Sequence, residues 1–184
     1  MKRTAERGFT LIEIMIVVAI IALLAAIAIP NVLRGRTSAN EAAAIGNIRA
    51  LVSANEMYRS VNNVYAQSSL WGCAATPCDM YPDAPTPAFG PAPFGPPTAN
   101  IGGAAPGPVV QGYTYNYIAQ PAGCTDALQT CTGYNLDVRP QVANQTGTRA
   151  FWANQNATIF HVTGAGPASA TCPTIDRPAG AAGC

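Results

Sequence analysis

From Phe9 to Ile29 the chain reads FTLIEIMIVVAIIALLAAIAI, a run of 21 positions whose only polar members are Thr10 and Glu13. As an α-helix rising about 1.5 Å per residue it would span roughly 31 Å, close to the hydrocarbon thickness of a bilayer. Past Pro30 the pattern becomes amphipathic. Leu33, Thr37, Ala44, Ile45, Ile48, Leu51, Val52 and Tyr58 recur at helical spacing, and Arg34, Arg36, Asn40, Glu41, Asn47, Arg49 and Glu56 fill the other faces. The two patterns together predict one long helix from about residue 9 to about residue 60, greasy all round in its first half and one-sided in its second. Pro30 is expected to kink the helix without ending it, because apolar neighbours favour helix on both sides. Gly35 and Gly46 each cost about 1 kcal/mol relative to Ala, so the second half needs packing support. Asn62-Asn63 is a helix-stop pair.

The pattern then fades. Ten prolines lie between Pro77 and Pro108, with the near-repeat AFGPAPFGPP at 88–97. Proline removes a backbone donor and fixes φ, so this stretch is expected as an extended surface loop. A partner-recognition segment is the sharper alternative, with Phe89 and Phe94 set in a polyproline-like frame. Strand patterns follow at Tyr113–Ile118, with three tyrosines on one face, and at Tyr134–Val138. Residues 149–153 and 158–162 flank Asn154-Gln155-Asn156 and read as a hairpin. The fold class is therefore α+β: a long helix against an antiparallel sheet of about four strands. The divisions are 1–8, a short polar segment; 9–30, the apolar half; 31–60, the amphipathic half; 61–112, a Pro/Gly-rich loop region; and 113–184, sheet and carboxy-terminal loop.

Charge changes the picture by exclusion. Of 184 residues only 10% are charged and the net charge is +1. Beyond residue 8 seven arginines and eight acids remain, with no lysine. No broad basic patch is available for a phosphate backbone, which argues against a nucleic-acid binder. Six cysteines, Cys73, Cys78, Cys124, Cys131, Cys172 and Cys184, all follow the apolar run. An oxidising compartment would let them pair; local pairing gives 73–78, 124–131 and 172–184 among fifteen connectivities. No CxxC occurs and His161 is the only histidine, so a metal site is not expected. Lys2, Arg3 and Arg7 before the run keep that end cytoplasmic by the positive-inside rule and send the rest outward.

Glu13 carries the most information. A carboxylate inside an apolar span is expensive and marks a functional site by default, although a place at the headgroup boundary would relieve it. His161 reads as a packed or surface residue, and the tyrosines at 113, 115 and 117 as a sheet face. Asn144-Gln145-Thr146 and Asn156-Ala157-Thr158 match the glycosylation triplet, a pattern that arises often by chance. No nucleophile elbow, phosphate-cradling loop or cofactor motif is present. The sequence gives no sign of an enzyme.

The stretch Gly8-Phe9-Thr10-Leu11-Ile12-Glu13, the apolar run and Pro30 together resemble the amino terminus of type IV prepilins and of type II secretion pseudopilins. The resemblance covers about the first 55 residues. It implies a type IV pilin-like fold, a leader at 1–8, prepilin peptidase cleavage between Gly8 and Phe9, and N-methylation of Phe9. It also implies that Glu13, fifth after the cut, pairs with a Phe9 amine, its own or a neighbour's, and so sets filament register. Ala22 stands where many members have glycine, so loosening of the helix there would rest mainly on Pro30. A Cys172–Cys184 bridge resembles the carboxy-terminal disulfide loop of many pilins. The implied function is a structural subunit of a type IV pilus, held in the bacterial inner membrane before assembly and extracellular afterwards. Its implied partners are identical or related subunits, the prepilin peptidase and an assembly platform with a separate ATPase. The alternatives are a type II secretion pseudopilin forming a periplasmic piston, or a minor tip pilin that binds a surface or DNA.

Overall fold

The computed structural model describes residues 9–67, 71, 80, 89–94, 101, 108–124 and 128–164. It falls into two units, divided between Arg36 and Thr37. In the first, residues 11–36 are the start of helix α1, which runs Leu11–Asn62 and continues through Pro30. Its apolar side chains are left exposed among the described residues. Leu11 is 77% exposed and Leu24 62%, and Leu33, predicted to begin the buried stripe, is 58% exposed. The first buried residue is Glu41, eight positions later, and α1 joins the apolar core shared with the sheet from Ala44 onward.

The second unit holds the rest of α1 and a five-stranded antiparallel meander in the order β1-β2-β3-β4-β5. The strands are β1 (Val109–Val110), β2 (Tyr113–Gln120), β3 (Gly133–Pro140), β4 (Arg149–Asn154) and β5 (Ile159–Thr163). Four coincide with the predicted strands to within two residues at either end. The fifth, β1, lies in the stretch expected to be loop. Val110 pairs with Tyr113 across a two-residue turn in which Gln111 (φ 51°) and Gly112 (φ 79°) both take positive φ, the hairpin geometry that suits strand twist. At its carboxy end α1 stops as the Asn pair predicts: Asn63 takes φ 62° and its amide donates to the Arg59 carbonyl at 2.8 Å.

One face of the sheet packs on α1. Tyr113, Tyr115 and Tyr117 are fully buried, as are Leu136 and Val138 opposite them on β3 and Phe151 and Ala153 on β4. Ala44, Ile48, Leu51, Val52 and Tyr58 of α1 belong to the same core. The tyrosine hydroxyls are anchored: Tyr117 donates to the Ala66 carbonyl at 2.7 Å, and Tyr115 accepts from Asn47 Nδ2 at 3.1 Å. Burial pushes the Tyr115 hydroxyl up to about 12 and raises that of Tyr117 well above its ordinary value, so both remain neutral at physiological pH.

The proline-rich region departs from the surface-loop expectation. Trp71, Met80, Phe94 and Ile101 are each at most 1% exposed and join the central core. Phe94 meets the edge of Tyr115 at 4.8 Å, and Phe89 that of Tyr58 at 5.6 Å. The two phenylalanines that suggested partner recognition are therefore used within the chain. Among the described residues of this region the only regular elements are a 3-10 turn at Ala92–Phe94 and the two-residue β1. Proline does not prevent spaced apolar side chains from folding back to cover an aromatic sheet face.

Candidate assembly site

The site is the amino-terminal turn of α1 and the apolar helix behind it. Phe9 is 85% exposed and Thr10 precedes the first helical residue. The Glu13 carboxylate reaches back to Thr10, its Oε2 accepting from the backbone amide at 2.8 Å and from the hydroxyl at 2.7 Å. The Glu13 amide in turn donates to Thr10 Oγ1 at 3.4 Å. This is a capping box, in which the N-cap and the residue three further on satisfy each other's orphan donors. Sequence reasoning overlooked it, though T-x-x-E before an apolar run is its written signature. Glu13 thus has a structural task in the single chain: it starts the helix at a defined residue. Its carboxylate also sits favourably at the positive end of the helix dipole.

Behind the cap, the apolar span is long enough to cross a membrane, and among the described residues none of it is buried. For a globular protein such a surface would be an aggregation liability; here it needs lipid or other helices. Pro30 lies inside the helix, where its missing N–H leaves the carbonyl four residues earlier without its usual donor. Gly8 and the leader expected at 1–8 lie outside the described residues.

Of the cysteines, Cys124 and Cys131 are joined, across the loop between β2 and β3. Cys131 is buried and its carbonyl accepts from the Tyr65 amide at 3.0 Å, fixing this loop to the segment leaving α1. The expected 73–78 and 172–184 pairs lie outside the described residues. His161 is half-buried on β5, and burial beside Arg149 holds its imidazole below the usual range. Among the described residues no group of three or more potential ligands could hold a metal.

Comparison with known proteins agrees with this picture at the amino-terminal end. Residues 3–29 match the family described as the prokaryotic N-terminal methylation motif. Over 78 residues the chain is 44% identical to the type IV wide pilus major component PilA4 of Thermus thermophilus, covering 40% of this chain and 60% of that one. It is 40% identical over 65 residues to the type II secretion system core protein G of Klebsiella michiganensis, covering 35% of this chain and 46% of that one. Against the type IV major pilin protein PilA of Myxococcus xanthus it is 48% identical over 61 residues, 33% of this chain and 28% of that one. The matched stretch is therefore less than two thirds of each relative's length. No solved structure matches the chain. Motif, helix and relatives together support the type IV pilin and pseudopilin family.

Proposed function

We propose that the chain is the precursor of a type IV pilus subunit, cut between Gly8 and Phe9, N-methylated on Phe9 and polymerised through the first half of α1. The observation that carries this reading is an apolar half-helix that is left exposed among the described residues and bears the methylation motif at its start. In the inner membrane, lipid covers that surface; in a filament, the same surface of neighbouring copies does. Glu13 changes partner on assembly. The Thr10 donors hold it in the single chain, and a Phe9 amine, cationic after cleavage, takes it in the low-dielectric filament core, where only one stagger satisfies both charges. Pro30 supplies the point at which the helix loosens. Prepilin peptidase, related subunits and an ATPase-driven platform are the partners this requires. The subunit's role is structural and needs no cofactor or metal. The 73–78 and 172–184 bridges complete the disulfide set in the oxidising space outside the membrane.

A pseudopilin of the type II secretion system is the second reading, supported by the similarity to core protein G. Mass spectrometry of fibres sheared from cells separates the two. A pilus subunit gives abundant chain beginning at N-methylated Phe9, whereas a pseudopilin leaves the processed chain in the membrane fraction. Glu13→Ala is expected to be processed normally and to lose incorporation into filaments. Normal filament numbers from that variant would remove the register argument.

A further inference from the structure

The second unit contains a charged cluster that the assembly reading does not use. Glu41, placed by periodicity on a polar face, is instead only 7% exposed and is the first buried residue along α1. Its Oε1 accepts from the Thr148 amide at 2.8 Å and the Thr148 hydroxyl at 2.6 Å. Its Oε2 accepts from Arg149 Nε at 2.9 Å and lies 2.8 Å from Nη2. One residue earlier, Asn40 Nδ2 donates to the Thr146 carbonyl at 3.0 Å, so two adjacent helix residues grip the connection between β3 and β4. The Arg149 guanidinium also lies over the Phe151 ring, 5.7 Å from its centroid. Directly across from Phe151 on the edge strand is His161, on the same face of the sheet as Arg149. Its Nδ1 is shut off from solvent and has no hydrogen-bond partner.

We propose that Glu41, Arg149 and His161 form an acid-released clasp between α1 and the β4–β5 side of the sheet. The charged groups in the field of His161 are Arg149 from β4, which opposes its protonation, and Glu41 from α1, which favours it less strongly. Tyr113 of β2 also senses Glu41 and Arg149 and stays neutral, its hydroxyl pushed up by burial. Burial first, and the Arg149 charge after it, hold His161 below its ordinary range in the folded chain. The same fold also holds Glu41 below the ordinary carboxylate range: desolvation raises it, but the Thr148 and Arg149 hydrogen bonds and the Arg149 charge more than offset this. Both groups bind protons more weakly closed than open, so both contribute closure at neutral pH and lose it as pH falls. His161 acts first, below its ordinary range near neutrality; Glu41 follows in the carboxylate range. A protonated His161 sets a second cation beside Arg149, and a protonated Glu41 no longer holds either of its partners as an anion.

Hydrogen exchange of the full chain in detergent micelles tests this, because the Thr148 amide is itself a clasp bond. After correction for intrinsic exchange, its protection should fall between pH 7 and pH 5 as His161 gains its proton, Glu41 staying ionised over that range. Leu136, in the middle of the sheet, should stay unchanged. His161→Gln should abolish most of that fall, and Glu41→Gln should lower protection at both pH values. Should Glu41→Gln not fold, the His161→Gln comparison still decides. Thr148 protection that is flat with pH, that falls together with Leu136, or that falls equally in His161→Gln would overturn the clasp.

Discussion

Replacing Phe94 by alanine would measure how far the proline-rich region belongs to the core. Phe94 is fully buried, closes a short 3-10 turn with its amide on the Pro91 carbonyl at 3.0 Å, and meets Tyr115 edge-on at 4.8 Å. Truncating a buried phenylalanine costs about 3–5 kcal/mol through lost transfer energy and the cavity left behind. The lower end applies here, since three-residue turns have few backbone bonds and can settle inward. We therefore expect a loss of about 3 kcal/mol, of which roughly 1 kcal/mol is the aromatic pair. For a chain of this size that lowers the melting temperature by about 10 °C. The assay is denaturant unfolding of the full chain in detergent micelles, followed by near-ultraviolet circular dichroism. Leu128→Ala is the control, because that side chain is 76% exposed and its loss should cost under about 0.5 kcal/mol. If Phe94→Ala were as mild as Leu128→Ala, the region would be the surface loop that its composition suggests, and the packing argument would fail.

Other outcomes follow from the same structure. Cys124→Ser with Cys131→Ser should lower stability by about 2 kcal/mol, since the bridge closes only a short loop, and the same unfolding assay reads it. A wild-type midpoint from the double variant would mean that the Tyr65–Cys131 backbone bond holds this loop by itself. Gly147→Ala would drive a methyl group into the Tyr113 hydroxyl, whose bond to the Arg149 carbonyl at 3.0 Å would break, costing about 2 kcal/mol. A shift of the Tyr113 ring resonances without such a loss would show that the ring moves aside freely.

The two halves of α1 and the tyrosine strand were legible because each rests on a period. Nineteen apolar positions in a run of 21 admit one interpretation, and alternate tyrosines at 113, 115 and 117 can only share a face. The capping box was legible too and was overlooked, since the apolar run drew attention to Glu13 as a buried charge and away from Thr10 three residues before it. Strand β1 was hidden by its length of two residues, although Gln111-Gly112 before a tyrosine strand is a turn signal.

By itself, then, the sequence determined the membrane-length helix and the class of protein that carries such a segment, and it carried the T-x-x-E signature of the helix start. These are local properties of composition and spacing. Only the tertiary structure decided that Trp71, Met80, Phe94 and Ile101 return to the core, and that Glu41 leaves the polar side of its helix for a hydrogen-bonded pocket. Each of these depends on a partner far away in the chain. An isolated apolar residue among prolines carries no period to read. A lone carboxylate is buried only because Thr148 and Arg149, more than a hundred residues further on, supply the donors that offset its desolvation.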